Sequence, residues 1–364
     1  MKKNKTAIIG CGNIANQKHM PALARLPEAE MTAFCDLIPE RAQEAARVYG
    51  SENAQVYTDY RELLERSDVD DVRVCVDNAN HCRITVDALR AGKHVLCEKP
   101  LAISYDEAKL MVKTARECGK VLSVGYQHRF SPEAVFLKKE MEKGNLGEIY
   151  QAKARVIRRR GAPNWGIFTQ KELVGGGPMI DVGTHAIDLT LWLMNNYEPA
   201  YVLGVTYQKL KDQKELANPF GPLDPEKFTT EDSASALLVM KNGASVMIEA
   251  SWLLNSLETG GVRFQLCGTE GGADNLSGKL RLNGVRSGSL YTLEPDLSTS
   301  GISYAAETKG YDPAIAEQAT FLRAVRGEGE LCVRAEQAAV VVRVIEGIYR
   351  SAETGKPIYF NEEE

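Results

Sequence analysis

The 364-residue chain lacks most of what marks a stapled, membrane-bound or nucleic-acid-binding protein. Its eight cysteines, at 11, 35, 75, 82, 97, 118, 267 and 332, contain no CxxC pair, so neither a zinc ribbon nor a redox dithiol is signalled. Several stand in apolar strand-like runs and read as small buried hydrophobes of a reducing compartment. No stretch approaches the ~20 apolar residues that span a bilayer. The opening MKKNKTAIIG imitates an export signal, but Asn13, Asn16, Gln17 and Lys18 break the apolar run too early. A cytoplasmic protein with no membrane partner is expected. Basic residues are not in excess either: 44 against 49 acidic, a net charge of −5. That balance gives no general attraction to phosphate backbones, and no nucleic-acid partner is expected. There is no internal repeat, and no low-complexity tract beyond the acidic tail Glu362–Glu364.

With 44% hydrophobic residues, the chain has ample material for a core, and its length suggests two domains. Over residues 1–126, short apolar runs alternate with amphipathic helical patterns. TAIIG, MTAFCD, DVRVCV, HVLCEK and VLSVGY read as strands. Residues 39–49, 60–67, 81–91 and 104–118 read as helices, the last opening on a Ser104/Glu107 capping box. Near-continuous apolar strands alternating with helices imply a doubly wound parallel sheet covered on both faces, a Rossmann arrangement. Over 127–364 the pattern changes. Alternating segments at 149–159, 201–210, 233–240, 244–253 and 262–268, with a hairpin joint at Lys241-Asn242-Gly243, predict an α+β domain with a large, mainly antiparallel open sheet. Helices are expected at 178–194, 313–326 and 335–354, the last stopped by Gly355 and Pro357.

Gly10-Cys11-Gly12-Asn13-Ile14-Ala15 follows the first strand directly and opens a helical stretch. The first glycine allows the tight turn and the second lets backbone approach a pyrophosphate; a small third residue permits close helix–sheet packing. Free N–H groups at the helix start would meet the phosphates. Asp36 closes the second strand 21 residues after Ala15, where a carboxylate accepts hydrogen bonds from ribose hydroxyls. Leu37 and Ile38 offer no arginine for a 2′-phosphate, which favours NAD over NADP, although Arg41 is near.

Two clusters carry chemistry. His94-Val95-Leu96-Cys97-Glu98-Lys99-Pro100 is a strand ending in charge at its carboxyl end, where ligands sit in open α/β sheets. A lysine there can polarise a hydroxyl oxygen, whereas an isolated Lys-Pro pair would be a plain turn. Gly175-Gly176-Gly177 precedes Asp181, His185 and Asp188, which at i, i+4 and i+7 share one face of a helix. A carboxylate beside an imidazole suits it to remove a hydroxyl proton near neutral pH. With one histidine and no further ligand cluster, no metal is expected. The run Arg158-Arg159-Arg160 reads as a solvated strand edge.

Taken together, the GxGxxA turn, Asp36, AGKHVLCEKPLA (91–102), GYQHRFSP (125–132), GGGPMIDVGTH (175–185) and YRSAETGKPI (349–358) resemble the Gfo/Idh/MocA oxidoreductases over essentially the whole chain. The resemblance implies NAD as cofactor, held by Gly10, Gly12, Asn13, Ile14, Asp36, Asn78, His81, Glu98, Lys99 and Gln127. It implies Lys99, Asp181 and His185 as catalytic residues, with His185 the proton acceptor, and a cis Lys99–Pro100 bond. Asn78 and His81 match a T-P-N-x-x-H element, except that Val76-Asp77 replaces threonine-proline. Lys99, Tyr126, Arg158, Trp165, Asp181 and His185 are implied on the substrate side. Trp165 would stack on a sugar face or simply anchor its loop.

The expected substrate is a small carbohydrate or cyclitol, and the expected assembly a homodimer or homotetramer. The leading expectation is oxidation of a ring hydroxyl by NAD, at the 3-position of a gluco-configured sugar. Two rivals are a redox-neutral glycosidase that oxidises its sugar transiently and a non-catalytic dinucleotide sensor.

Overall fold

The computed structural model describes residues 3–213, 215–297 and 311–361, which form two units. In the first, strands β1 (Asn4–Ile9), β2 (Ala29–Cys35), β3 (Gln55–Tyr57), β4 (Asp71–Val74), β5 (His94–Cys97) and β6 (Leu122–Val124) form a six-stranded sheet in the order β3-β2-β1-β4-β5-β6. Every pairing is parallel. The chain leaves β1 for β2 on one side and reaches β4 on the other, so the β1 and β4 carboxyl ends flank a topological switch point. Buried strands explain the continuous apolar runs: Ala7, Ile8, Val72, Val74, Val95 and Leu96 are fully enclosed. Only β3 escapes the sequence pattern. It is a three-residue edge strand, two of whose residues are exposed, and no apolar run announces it.

Helices Pro39–Tyr49, Tyr60–Leu64, Asn78–Arg90 and Tyr105–Glu117 fall where the periodicity places them. Ser104 Oγ caps the last by accepting from the Glu107 N–H at 3.3 Å, and the Glu107 carboxylate reaches back to the Ile103 N–H. After the glycine turn, however, the chain makes a π-helical turn, Ala15–His19, before the short helix Met20–Ala24.

The first unit also reclaims chain from near the C-terminus. It runs to Phe130 and, among the described residues, resumes over 311–339. Helix Pro313–Val325, capped by Asp312, buries Phe321 and Leu322 in the same cluster as Ile8, Phe34 and Leu96. The Arg73 guanidinium lies 4.6 Å from the Phe321 ring centre. A division at residue 126 lacks this return, because periodicity reports a helix's apolar face and not the core it joins.

The second unit is built on a nine-stranded sheet of β7 (Ile149–Ile157), β8 (Pro199–Tyr207), β9 (Ser233–Met240), β10 (Ser245–Ser251), β11 (Gly260–Gly268), β12 (Gly271–Asp274), β13 (Arg281–Arg286), β14 (Ser289–Leu293) and β15 (Ile358–Tyr359). The order is β14-β13-β12-β11-β7-β10-β9-β8-β15. All pairings are antiparallel except the central β7–β10 pair. Helix Thr184–Met194 packs on β7 and β11. Helix Ala335–Thr354 ends at Gly355, whose φ of 65° is the left-handed conformation that glycine takes without strain. Its Ser351 hydroxyl accepts from the Gly204 N–H on β8. On the opposite face Leu203, Leu237 and Met247 form a cross-strand row in register, each partly exposed. Helix Pro132–Glu142 and the β12–β14 strands had no strong sequence signal. None of the eight cysteines forms a disulfide, and five are buried. Among the described residues no helix is long and apolar enough to cross a membrane.

Replacing Phe321 by alanine is expected to destabilise the protein by about 3–5 kcal/mol, as for a large core aromatic. Urea unfolding followed by circular dichroism measures this. A loss below about 1 kcal/mol would mean that helix Pro313–Val325 is no part of that core.

Candidate active site

The carboxyl ends of the parallel strands make a cleft of about 630 Å3 in the first unit. Gly10 stands at its head with φ of 90°, and a Cβ there would lie 2.5 Å from the Cys75 carbonyl oxygen, so only glycine fits. A Cβ on Gly12 would meet nothing within 4 Å, which leaves that backbone open to an approaching group. Ala15 is fully buried, and Asn16 Nδ2 donates to the Cys11 and Gly12 carbonyls, fixing the turn from behind. The Asp36 carboxylate accepts from the Cys11 N–H at 2.8 Å and the Ile38 N–H at 2.9 Å. Of the expected cofactor residues, the cleft takes in Gly10, Gly12 and Asp36, with Arg41 also on its wall. Asn13 is exposed, and Ile14 packs against the hydrophobic core. The open backbone beside Gly12 and the strand-end carboxylate suit a dinucleotide.

At the neighbouring loop, Asp77 takes φ of −69° and ψ of 155°, close to the φ that a proline ring enforces. The chain therefore keeps an extended course without the proline, and Asn80 Nδ2 donates to both Asp77 oxygens. Asn78 opens helix Asn78–Arg90. His81 is buried; its ring nitrogens lie 2.7 Å from the Pro100 carbonyl and 3.2 Å from the Val76 carbonyl. What it touches is main chain, so it braces the loop around the cis Lys99–Pro100 bond. Tyr126, expected on the substrate side, is fully buried between β6 and the turn Gln127–Phe130.

Glu98 is buried just beyond β5. Its Oε1 accepts from Lys18 Nζ at 2.9 Å and from His19 Nε2 at 2.7 Å; Oε2 accepts from the Lys99 N–H at 3.0 Å. Burial alone would raise its pKa, but the Lys18 charge and the His19 hydrogen bond hold it well below the carboxylate range. Lys18 also meets Glu317 at 2.9 Å. His19 Nδ1 accepts from Gln318 Nε2 at 2.9 Å, and Gln318 Oε1 accepts from Arg73 Nε at 2.6 Å. Arg73 in turn pairs with Asp71. Burial and the Lys18 charge push His19 down to about 4. Burial, with the Lys18 and Lys99 charges, pushes His128 to about 4 as well. Lys99 itself is half-buried at the end of this chain of contacts.

In the second unit, Gly175 ends the short helix Lys171–Val174 at φ of 85°. A Cβ on Gly176 would strike the Tyr349 hydroxyl at 2.1 Å, and one on Gly177 the Glu231 carbonyl at 2.3 Å. The Glu231 carboxylate accepts from the Gly177 N–H (2.8 Å), the Met179 N–H (3.1 Å) and the Tyr349 hydroxyl (2.9 Å). This anchors a π-helical turn, Met179–Gly183, that carries Asp181. Asp181 Oδ2 accepts from the indole N–H of fully buried Trp252 at 3.1 Å. Asp181 and His185 are half-buried, whereas Asp188 is enclosed. The wider π turn interrupts the straight helical stripe expected for the three.

Strand β7 continues past Ile157 beside β10, with the Arg158 N–H donating to the Ser251 carbonyl. Arg158 Nη1 donates to the Gly161 carbonyl, and Arg160 donates to the Leu216 carbonyl and Asn255. The arginine run is thus partly tied down and not a plain solvated edge. Trp165 is 45% exposed and meets Phe220 edge-to-face, ring centres 4.8 Å apart. Sequence reasoning missed Lys18, His19, Glu317, Gln318, Glu231, Trp252 and Tyr349. The one available signal was charge in unfavourable surroundings: a Lys-His pair soon after the glycine turn, and Glu317-Gln318 within an otherwise apolar helix. Among the described residues no cluster of His, Cys, Asp and Glu could hold a metal.

The model of an oxidoreductase family with an NAD-binding Rossmann fold matches residues 4–126, and that of the GFO/IDH/MocA C-terminal domain matches 135–274. D-glucoside 3-dehydrogenase of Escherichia coli is 34% identical over 351 residues, 96% of each chain. Levoglucosan dehydrogenase of Pseudarthrobacter phenanthrenivorans is 28% identical over 74% of this chain and 73% of its own. An oxidoreductase domain protein from Kribbella flavida shares the fold with a TM-score of 0.86, at 24% identity and full coverage of both chains.

The buried histidines set an acid limit on stability. Between pH 6.5 and about 4 the unfolded chain binds protons that folded His19 and His128 refuse, so stability falls as pH drops through that window. For fully buried His19 the loss is on the order of 1–3 kcal/mol. Urea midpoints at pH 7.5 and 5 measure the slope, and His19→Gln should flatten it; equal midpoints for the unaltered protein would contradict the assignment.

Proposed function

Because the chain belongs to the Gfo/Idh/MocA family of oxidoreductases, we propose that it oxidises a ring hydroxyl of a sugar, glycoside or inositol with NAD, at the 3-position of a gluco-configured sugar. The observation that carries this reading is the anchored turn of the second unit. It holds a carboxylate, Asp181, one turn ahead of an imidazole, His185, and leaves both partly open where their neighbours are buried. The similarity to a D-glucoside 3-dehydrogenase over nearly the whole of both chains supports the ring position.

Bound NAD supplies the oxidising nicotinamide. His185 takes the hydroxyl proton. Asp181, its geometry fixed by the Trp252 indole, favours the protonated imidazole that results. Lys99 donates to the substrate oxygen and stabilises the charge that develops as the proton leaves. Trp165, exposed beside Phe220, offers an apolar face for a pyranose or cyclitol ring. Arg158 shapes the loop that presents it, through the Gly161 carbonyl. Asp36 accepts from the adenosine ribose hydroxyls and repels a 2′-phosphate, so NAD is preferred; Arg41 is the opposing influence on that wall. Self-association is part of the same proposal. The Leu203, Leu237 and Met247 row is an apolar face suited to a second copy of the chain.

Absorbance of reduced nicotinamide, recorded with NAD and a panel of hexoses, glycosides and inositols, tests the reaction. NADH should form with a gluco-configured member, and NADP should be at least about 10-fold poorer in kcat/KM. Lys99→Met should lower kcat by about 100- to 1,000-fold with little change in NADH affinity. Near-normal turnover in that variant would refute the role given to Lys99. For assembly, light scattering should report a dimer or tetramer that Leu237→Lys shifts towards monomer; a monomeric unaltered protein would sink that part.

A further inference from the structure

Lys18 is enclosed between two buried carboxylates, 2.9 Å from Glu98 and 2.9 Å from Glu317. Two buried carboxylates repel unless a shared cation compensates both, and a lone buried charge is costly. Glu317 stands on helix Pro313–Val325, 219 residues beyond Glu98, and its neighbour Gln318 holds His19, the second donor to Glu98 Oε1. One helix therefore grips both groups that fix this oxygen. Gly125 closes the other side, because a Cβ there would lie 2.7 Å from Glu98 Oε1. The remaining oxygen, Oε2, receives the backbone N–H of Lys99. Nothing in the reaction assigned above employs Glu317, yet it is one of the few enclosed carboxylates among the described residues.

We infer that Glu317 is a positioning residue: through Lys18 it holds the Glu98 carboxylate, and with it the backbone of Lys99, in the geometry that hydroxyl oxidation requires. The inference rests on the role given to Lys99. The charges around Glu317 are Lys18 on the turn after β1, Glu98 just beyond β5 and Arg73 on β4. Loss of the Glu317 charge leaves Lys18 less compensated. The added positive potential acts on the cations beside Glu98, and Lys18 is free to pull Glu98 out of place. A displacement of about an ångström at a reacting group is enough to cost up to 100-fold in rate.

The test uses the full-length protein with Glu317→Gln, a near-isosteric neutral change, and Glu317→Asp, which restores the charge. Labelling of Lys99 by acetic anhydride across pH, read by mass spectrometry, needs no substrate. Glu317→Gln should lower the labelling midpoint by about 0.5–1 pH unit. It should lower kcat roughly 10- to 100-fold, with KM for NAD changed less than about 3-fold. Glu317→Asp should recover much of both. A shifted midpoint in a protein whose unaltered form oxidises none of the panel would sustain the positioning role and discard the reaction. If Glu317→Gln does not fold, Gln318→Met, which releases His19 without removing a charge, is read by the same fall in kcat with KM for NAD little changed. A folded Glu317→Gln protein with an unmoved Lys99 midpoint, or unfolding of both variants, would overturn the inference.

Discussion

A carboxylate almost without water must find donors for both its oxygens, and in the first unit Glu98 sets that requirement. Strand β5 delivers it at the carboxyl end of the sheet, beside the switch point at which parallel α/β proteins bind ligands. Three donors come from two places: the π turn after β1 supplies Lys18 and His19, and the chain's own next residue supplies the Lys99 N–H. The π turn thereby acquires a reason. It brings consecutive residues, Lys18 and His19, onto one oxygen. Those donors are themselves buried and need partners, which helix Pro313–Val325 provides. The return of chain from near the C-terminus into the first unit thus has an electrostatic side as well as the apolar one given by Phe321 and Leu322.

The second unit solves a similar problem with the same device. Glu231 is buried, its pKa raised by burial, and its oxygens are taken by the Gly177 and Met179 N–H groups and the Tyr349 hydroxyl. The glycines before the turn are needed for space, since a side chain at 176 or 177 would occupy the place of Tyr349 or of Glu231 itself. In each unit a side chain given a part in the proposed reaction thus lies on or close to backbone whose N–H groups are held by an enclosed carboxylate. The N–H held by Glu98 is that of Lys99 itself, and Asp181 lies two residues beyond the anchored Met179. Groups that must be placed within a fraction of an ångström are better fixed by main chain than by their own flexible stems.

Much of this molecule could be read from its residue order. Apolar runs bounded by turns located five of the six parallel strands, because a strand covered on both faces must be apolar throughout. Gly10 and Asp36 were legible because a tight turn and a strand-end carboxylate are local matters, decided within a few residues. The motif glycines, Lys99, Asp181 and His185 were legible as a set and carried the family. Residue order was silent on what depends on distant partners. Glu317 and Gln318 show in the sequence only as polar residues in a largely apolar helix, with nothing to name their partners, and His19 and Gln318 meet across 299 positions. The π turn that offsets Asp181 from the helix carrying His185 and Asp188 leaves the i, i+4 spacing in the sequence unchanged. Periodicity records which face of an element avoids water. It does not record which buried charge that face will meet, and only tertiary packing decides this, because a buried charge is tolerable solely where the fold assembles its partners around it.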